Sequence, residues 1–179
     1  MIIIDIFDAA IDGTYDDFMR FYSKEKLNIV EQDTKLNLLC TATCSDENPE
    51  DKLKIMRFLI DEGIDINFKD AKKKRTALHV FFSTVWKSNP SYFLEVCELL
   101  INSGIDINAK DVYGSIALSY AITLNKNTQE EMQEVYKYLI ESGSDYRLKN
   151  KLDKNCIDLV NECSWRSDII KMMEGFENE

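Results

Sequence analysis

Three dense apolar runs set the register of this chain. They are Ile55-Met56-Arg57-Phe58-Leu59-Ile60, Val96-Cys97-Glu98-Leu99-Leu100-Ile101 and Val135-Tyr136-Lys137-Tyr138-Leu139-Ile140, each interrupted by one polar residue. Such density predicts helices covered by neighbours on two sides, not helices with one broad wet face. Each run begins eight residues before a glycine, at Gly63, Gly104 and Gly143. A glycine in that place suits the left-handed residue that closes a helix. A second family of apolar segments precedes the first, anchored on Ile6, Leu39, Leu78, Leu118 and Ile157, at spacings of 33, 39, 40 and 39 residues. Together they predict five helix pairs: 4–12 with 14–22, 36–44 with 49–62, 76–87 with 90–103, 115–126 with 129–142, and 155–162 with 166–174. The start signals agree. Asn48-Pro49 and Asn89-Pro90 put a capping Asn before a proline at the first helical position, and Thr128-Gln129-Glu130-Glu131 has the form of a capping box.

Between the pairs one phrase recurs. It reads Gly63-Ile64-Asp65-Ile66-Asn67-Phe68-Lys69-Asp70, then Gly104-Ile105-Asp106-Ile107-Asn108-Ala109-Lys110-Asp111, then a worn copy from Gly143 to Asn150. The intervals are 41 and 39 residues. A period of this size is the mark of stacked units, none of which buries both helix faces alone.

The order of helix, helix, Gly-x-Asp-x-Asn-x-x-Asp and Thr76-Ala77-Leu78-His79 resembles ankyrin repeats, and the resemblance extends over nearly the whole chain. It implies an all-α solenoid of about five helix-turn-helix repeats joined by β-hairpin-like finger loops. The expected boundaries are 1–33 as an N-terminal cap, 34–70, 71–111, 112–150, and 151–176 as a C-terminal cap, all within one domain over 1–179. Several departures from the family pattern are visible. Three repeats exceed the usual length of about 33 residues, with the extra residues between the two helices at Ser45–Glu50, Val85–Pro90 and Asn125–Gln129. The second repeat has Asn37-Leu38-Leu39-Cys40 in place of the Thr-Pro-Leu-His signature. The turn from Asp70 to Thr76 has no glycine and one extra residue, so its hairpin is expected to be irregular.

Charge changes the picture more than composition does. The 179 residues are 45% hydrophobic and 30% charged, ordinary for a folded soluble protein. The net charge of −10 argues against non-specific binding to nucleic acid or anionic membranes. That charge is unevenly spread. The finger stretches 68–75, 109–115 and 146–154 hold ten basic residues against three acids, a local +7 that leaves −17 on the remainder. A basic finger row on an acidic body is suited to steering an acidic protein partner, with acidic loops such as Ser45–Asp51 at the opposite edge. Lys72-Lys73-Lys74-Arg75 also has the form of a small phosphate or localisation patch. Few aromatics accompany it for base stacking (Phe68, Tyr113, Tyr146), so nucleic acid is not the expected partner.

Other candidate chemistry reads as structure. His79 is the only histidine and has no nucleophile or metal pattern beside it. Cys40 and Cys44 have metal-ligand spacing on one helix face but no companion ligands. The five cysteines contain no C-x-x-C and suit reduced, buried thiols in a cytoplasmic protein. The Asp and Asn of the recurring phrase lack EF-hand spacing and suit turns. The segment Met1–Asp8 carries acids and no basic region, unlike a secretory signal, and residues 174–179 read as an acidic tail. No catalytic residue, cofactor or metal is expected. The expected role is non-catalytic protein binding, either as an immunity protein that neutralises a toxin stoichiometrically or as a cytoplasmic adaptor or host-directed effector. The expected contacts are Phe68, Lys69, Lys72, Arg75, Ser83, Thr84, Lys110, Val112, Tyr113, Thr123, Leu124, Arg147, Lys149 and Lys151.

Overall fold

The computed structural model describes residues 2–163 and 168–175. Ten α-helices lie in them, in five pairs: α1 (Ile6–Asp12) with α2 (Tyr15–Phe21), α3 (Leu38–Ala42) with α4 (Pro49–Asp61), α5 (Ala77–Thr84) with α6 (Pro90–Asn102), α7 (Ala117–Leu124) with α8 (Gln129–Glu141), and α9 (Cys156–Glu162) with α10 (Asp168–Gly175). The expected start of the last helix at 166 and the end of the acidic tail, 176–179, lie outside the described residues. The first helices α1, α3, α5, α7 and α9 pack in sequence on one another, and so do α2, α4, α6, α8 and α10. The result is a two-layer stack whose core runs between the layers.

The periodic anchors account for that core. Leu39, Leu78, Leu118, Ile55, Val96 and Val135 are all essentially inaccessible to solvent. Aromatic residues fill the wider gaps. Phe81, Phe82, Tyr92 and Phe93 cluster at ring distances of 5.2–6.1 Å. Phe18, Tyr22 and Phe58 do the same in the first two pairs.

Most helix ends follow the sequence signals. Asn89 and Thr128 cap α6 and α8 through their side chains. Asn48, expected to cap α4, is instead left-handed at φ 52° and makes no side-chain cap bond, leaving Pro49 alone to start that helix. Gly63, Gly104 and Gly143 adopt φ of 87°, 90° and 94°. Behind each of them the chain closes a double turn: Gly63 N–H donates to the Ile60 carbonyl and Ile64 N–H to that of Leu59, and the same pair of bonds recurs at Gly104–Ile105 and Gly143–Ser144. This is the glycine-closed helix end, and it satisfies carbonyls that the helix cannot. Asn37 replaces the usual threonine of the signature and caps α3 through Cys40 N–H at 2.9 Å.

The first helices are shorter than the hydrophobic pattern suggests. Over 76–87 the helix ends at Thr84, whose hydroxyl donates to the Val80 carbonyl at 2.8 Å, and Val85 leaves helical geometry. The connections expected as hairpins are tight turns rather than strands. Among the described residues the sole β-bridge joins Val30 and Asn37, because each finger is too short to hold more than one or two cross-bonds.

Candidate functional site

Each finger is built around one side-chain acceptor. Asp70 receives the backbone N–H groups of Lys72, Lys73 and Arg75 at 2.7–2.9 Å. Asp111 receives those of Tyr113 and Ser115 at 2.8 and 2.9 Å, and the Tyr120 hydroxyl at 2.5 Å. Asn150 receives Leu152 and Lys154, and Glu31 receives Asp33 and Thr34. These bonds lower the Glu31 carboxyl to about 2, chiefly through the Asp33 and Thr34 N–H groups. At Asp70 burial works to raise the pKa, but the Lys73 and Arg75 amides and the Arg75 guanidinium outweigh it and hold it low. The chain then turns through a left-handed residue, which is Lys35, Lys74, Gly114 and Asp153 in the successive fingers. The irregularity expected in the glycine-free turn is thus Lys74 at φ 57°.

Neighbouring tips are bonded through their backbones. Val112 N–H donates to the Lys73 carbonyl and Lys151 N–H to that of Tyr113, both at 2.8 Å. The recurring phrase supplies a second link at the finger base. Asn67 donates to the Gly104 carbonyl (3.0 Å) and accepts Asp106 N–H (2.6 Å). Asn108 repeats this with Gly143 (2.8 Å) and Asp145 (2.7 Å). These asparagines therefore bridge units instead of serving only their own turn. The worn copy has Arg147 in that place, and its guanidinium lies 4.6 Å from the Tyr146 ring centroid. Between the first two pairs, Lys24 and Tyr22 both reach the Glu62 carboxylate, at 2.9 and 2.8 Å.

The expected contact residues divide into three groups. Lys69, Lys72, Lys110, Tyr113, Arg147, Lys149 and Lys151 are exposed along the finger row, with Val112 half-buried between tips. Ser83, Thr84, Thr123 and Leu124 lie on the outward side of α5 and α7. Phe68 and Arg75 turn inward: Phe68 packs against the core, and Arg75 bonds Asp70 at 3.3 Å and the Ser83 hydroxyl at 3.1 Å. That last bond joins the fingers to the first-helix face.

Two prominent residues carry no repeat signal. Trp86 is 50% exposed at the end of α5, and the Lys126 ammonium sits 4.8 Å from its ring centroid. Both come from the inserted loops, where no register predicts a position. Lys52 is wholly buried, its Nζ donating to the Gly13 carbonyl at 2.8 Å. Burial lowers its pKa to about 8, against the pull of Asp12 and Asp51. It occupies the place in its helix that Phe93 and Met132 fill in the next two pairs.

His79 is a structural bridge. Its Nε2 lies 3.0 Å from the Ser115 carbonyl, so that nitrogen carries the proton. Nδ1 is left to accept from Thr76 at 2.9 Å. Burial lowers its pKa, keeping the ring neutral. Burial pushes the Cys40 and Cys44 thiols up, Cys44 to about 11. Among the described residues no three His, Cys, Asp or Glu side chains are placed to hold a metal, and no helix is long and apolar enough to cross a membrane.

No curated protein matches the chain. A family model described as ankyrin repeats, in three copies, matches residues 48–150, which is more than half of its length. That span runs from the start of α4 to Asn150 in the last finger and takes in both asparagine bridges. Domains of this family are typically non-catalytic modules that bind other proteins. The glycine-closed helices, the bonded finger row and the family match agree: the chain belongs to the ankyrin-repeat family, and it is a protein-interaction module.

Proposed function

We propose that the finger row and the outward side of α5 and α7 form one surface that binds an acidic protein partner. One observation carries this reading. The ammonium groups of Lys69, Lys72, Lys73, Lys74 and Lys151 have no hydrogen-bond or ion-pair partner among the described residues, within fingers whose local charge is +7. Exposed charges of one sign on a fixed backbone raise association rates with an oppositely charged surface. The bonded tips add pre-organisation, so little ordering is required on docking. The flanking regions 1–33 and 151–176 act as caps of one domain over 1–179.

Both cellular roles considered above, immunity protein and adaptor, use stoichiometric occupation of this surface. Rescue of growth by co-expression with a toxin encoded alongside it would select the first. The surface itself is tested by Lys72→Glu, Lys149→Glu and Lys151→Glu combined, leaving Arg75 intact because it holds its finger together. Partners captured from native cells at low salt should be lost from the triple variant, and from the wild type at high salt. Retention of the same partners by a folded triple variant would reject the surface.

A further inference from the structure

Residues that lengthen the repeats, together with the ends of α5 and α7, build a groove that the family pattern does not account for. It has a volume of about 570 Å³ and is lined by Ser83, Trp86, Thr123, Leu124, Asn125 and Lys126. Its walls are fixed. Lys126 N–H donates to the Trp86 carbonyl at 2.6 Å. The Asn127 side chain pairs with both backbone groups of Ser88, at 3.2 and 2.9 Å, and the indole N–H reaches the Ser83 carbonyl at 2.8 Å. Two inserted loops from successive pairs are thereby locked into one ledge. Trp86 and Leu124 remain 50% and 39% exposed on it.

The chemistry of the lining selects its occupant. The Ser83 hydroxyl donates to the Val80 carbonyl at 2.9 Å, and that of Thr123 to the Ser119 carbonyl at 2.8 Å. The indole donor is also engaged. None of these three groups has a proton left for a ligand and the two hydroxyls can only accept, so beside the Asn125 amide the groove offers mainly apolar contact and the positive charge of Lys126. We propose that it takes an aromatic or aliphatic side chain from an acidic segment of the protein partner; this rests on the reading of the finger face as a protein-binding surface. The groove and the fingers lie at opposite ends of α5, eight residues long, which is roughly 12 Å of helix. An extended peptide covers that distance in about four residues. The Arg75–Ser83 bond marks the path. Asp70, the carboxylate beside that path, has no exposed side-chain surface and is already paired with Arg75. The segment therefore carries its apolar anchor about four positions from Asp or Glu residues that reach Lys72–Lys74.

The test uses the full chain and a displayed library of random twelve-residue peptides. Enriched peptides should pair an aromatic or aliphatic residue with acids about four positions away. Fluorescein-labelled copies should lose about tenfold in affinity on Trp86→Ala and on Leu124→Ser, and keep it on Trp86→Phe. Failure to enrich any peptide, or enriched peptides that bind Trp86→Ala and wild type equally, would overturn the groove. If such peptides still lose affinity for the Lys72, Lys149 and Lys151 triple variant, the finger surface stands without the groove. Indifference to both sets of changes removes both.

Discussion

At the scale of single residues, the left-handed positions separate what the chain needs from what it tolerates. A Cβ added at Gly63, Gly104 or Gly143 would meet nothing within 4 Å, so the requirement there is one of backbone conformation and not of space. The strain of an L-residue at this φ is about 1–2 kcal/mol, partly offset by the lower entropy of the unfolded variant. Gly104→Ala should destabilise by about 1 kcal/mol in urea unfolding. Lys74 sits at φ 57° where the next finger has Gly114. Lys74→Gly relieves strain but adds chain entropy, for a net gain of about 0.5 kcal/mol. Lys52 is the residue whose surroundings were least legible. It reads as a surface lysine beside Glu50 and Asp51, and only the alignment with Phe93 and Met132 marks its place as interior. Its pKa is about 8 when folded against 10.5 ordinarily. Between those values the unfolded chain holds a proton that the native chain has released, so this residue makes stability rise with pH there, by at most ~1.4 kcal/mol per pH unit. Comparing unfolding of wild type and Lys52→Met from pH 7 to 10 should show the wild type gaining on the variant above pH 8. Parallel curves would exclude a desolvated ammonium.

Elements were legible in kind and less so at their ends. Each of the ten helices overlaps an expected stretch, α10 over its described residues, since burial on two sides leaves a dense pattern in the sequence. The C-terminal ends of the first helices are shorter than that pattern. The apolar residues Val80, Phe81 and Phe82 give no stop signal, and the stop comes from the Thr84 hydroxyl and the turn at Val85. This local event swings Trp86 out of the helix, which is why the sequence pointed to Ser83 and Leu124 but not to the indole between them. The recurring asparagines were readable as turn residues, whereas their bridging role depends on partners 35–39 residues away. Asn108→Ala removes two bonds across a junction. Each such bond contributes about 0.5–1.5 kcal/mol, towards the lower end where water competes. The expected loss is about 1–2 kcal/mol, with faster amide hydrogen exchange beyond residue 143 than before residue 100, because coupling in a stack passes only between neighbours. Uniformly faster exchange would mean that the bridge does not act at its own junction.

For the whole molecule, the sequence contained the division of charge, and the structure supplied its arrangement. The fingers form a bonded row in which Arg75 bonds Asp70 and Ser83, Lys110 the Lys149 carbonyl and Lys149 the Asp153 carboxylate, while Lys69, Lys72, Lys73, Lys74 and Lys151 are uncommitted among the described residues. The edge expected to be acidic is mixed: Ser45–Asp51 lies there, but so does Lys126, whose ammonium sits over the Trp86 ring. Affinity for an acidic partner should fall steeply with added salt, because exposed charges are screened over about 8 Å at physiological ionic strength. A residual, salt-resistant part should disappear with Trp86→Ala. Titrating salt against wild type and variant separates the two contributions. Asn67 offers the same two atoms to Gly104 and Asp106 that Asn108 offers to Gly143 and Asp145, so at the finger base the two junctions are bonded alike and a shared asparagine sets their spacing. Arg147 lacks that pair of atoms and lies instead across the Tyr146 ring.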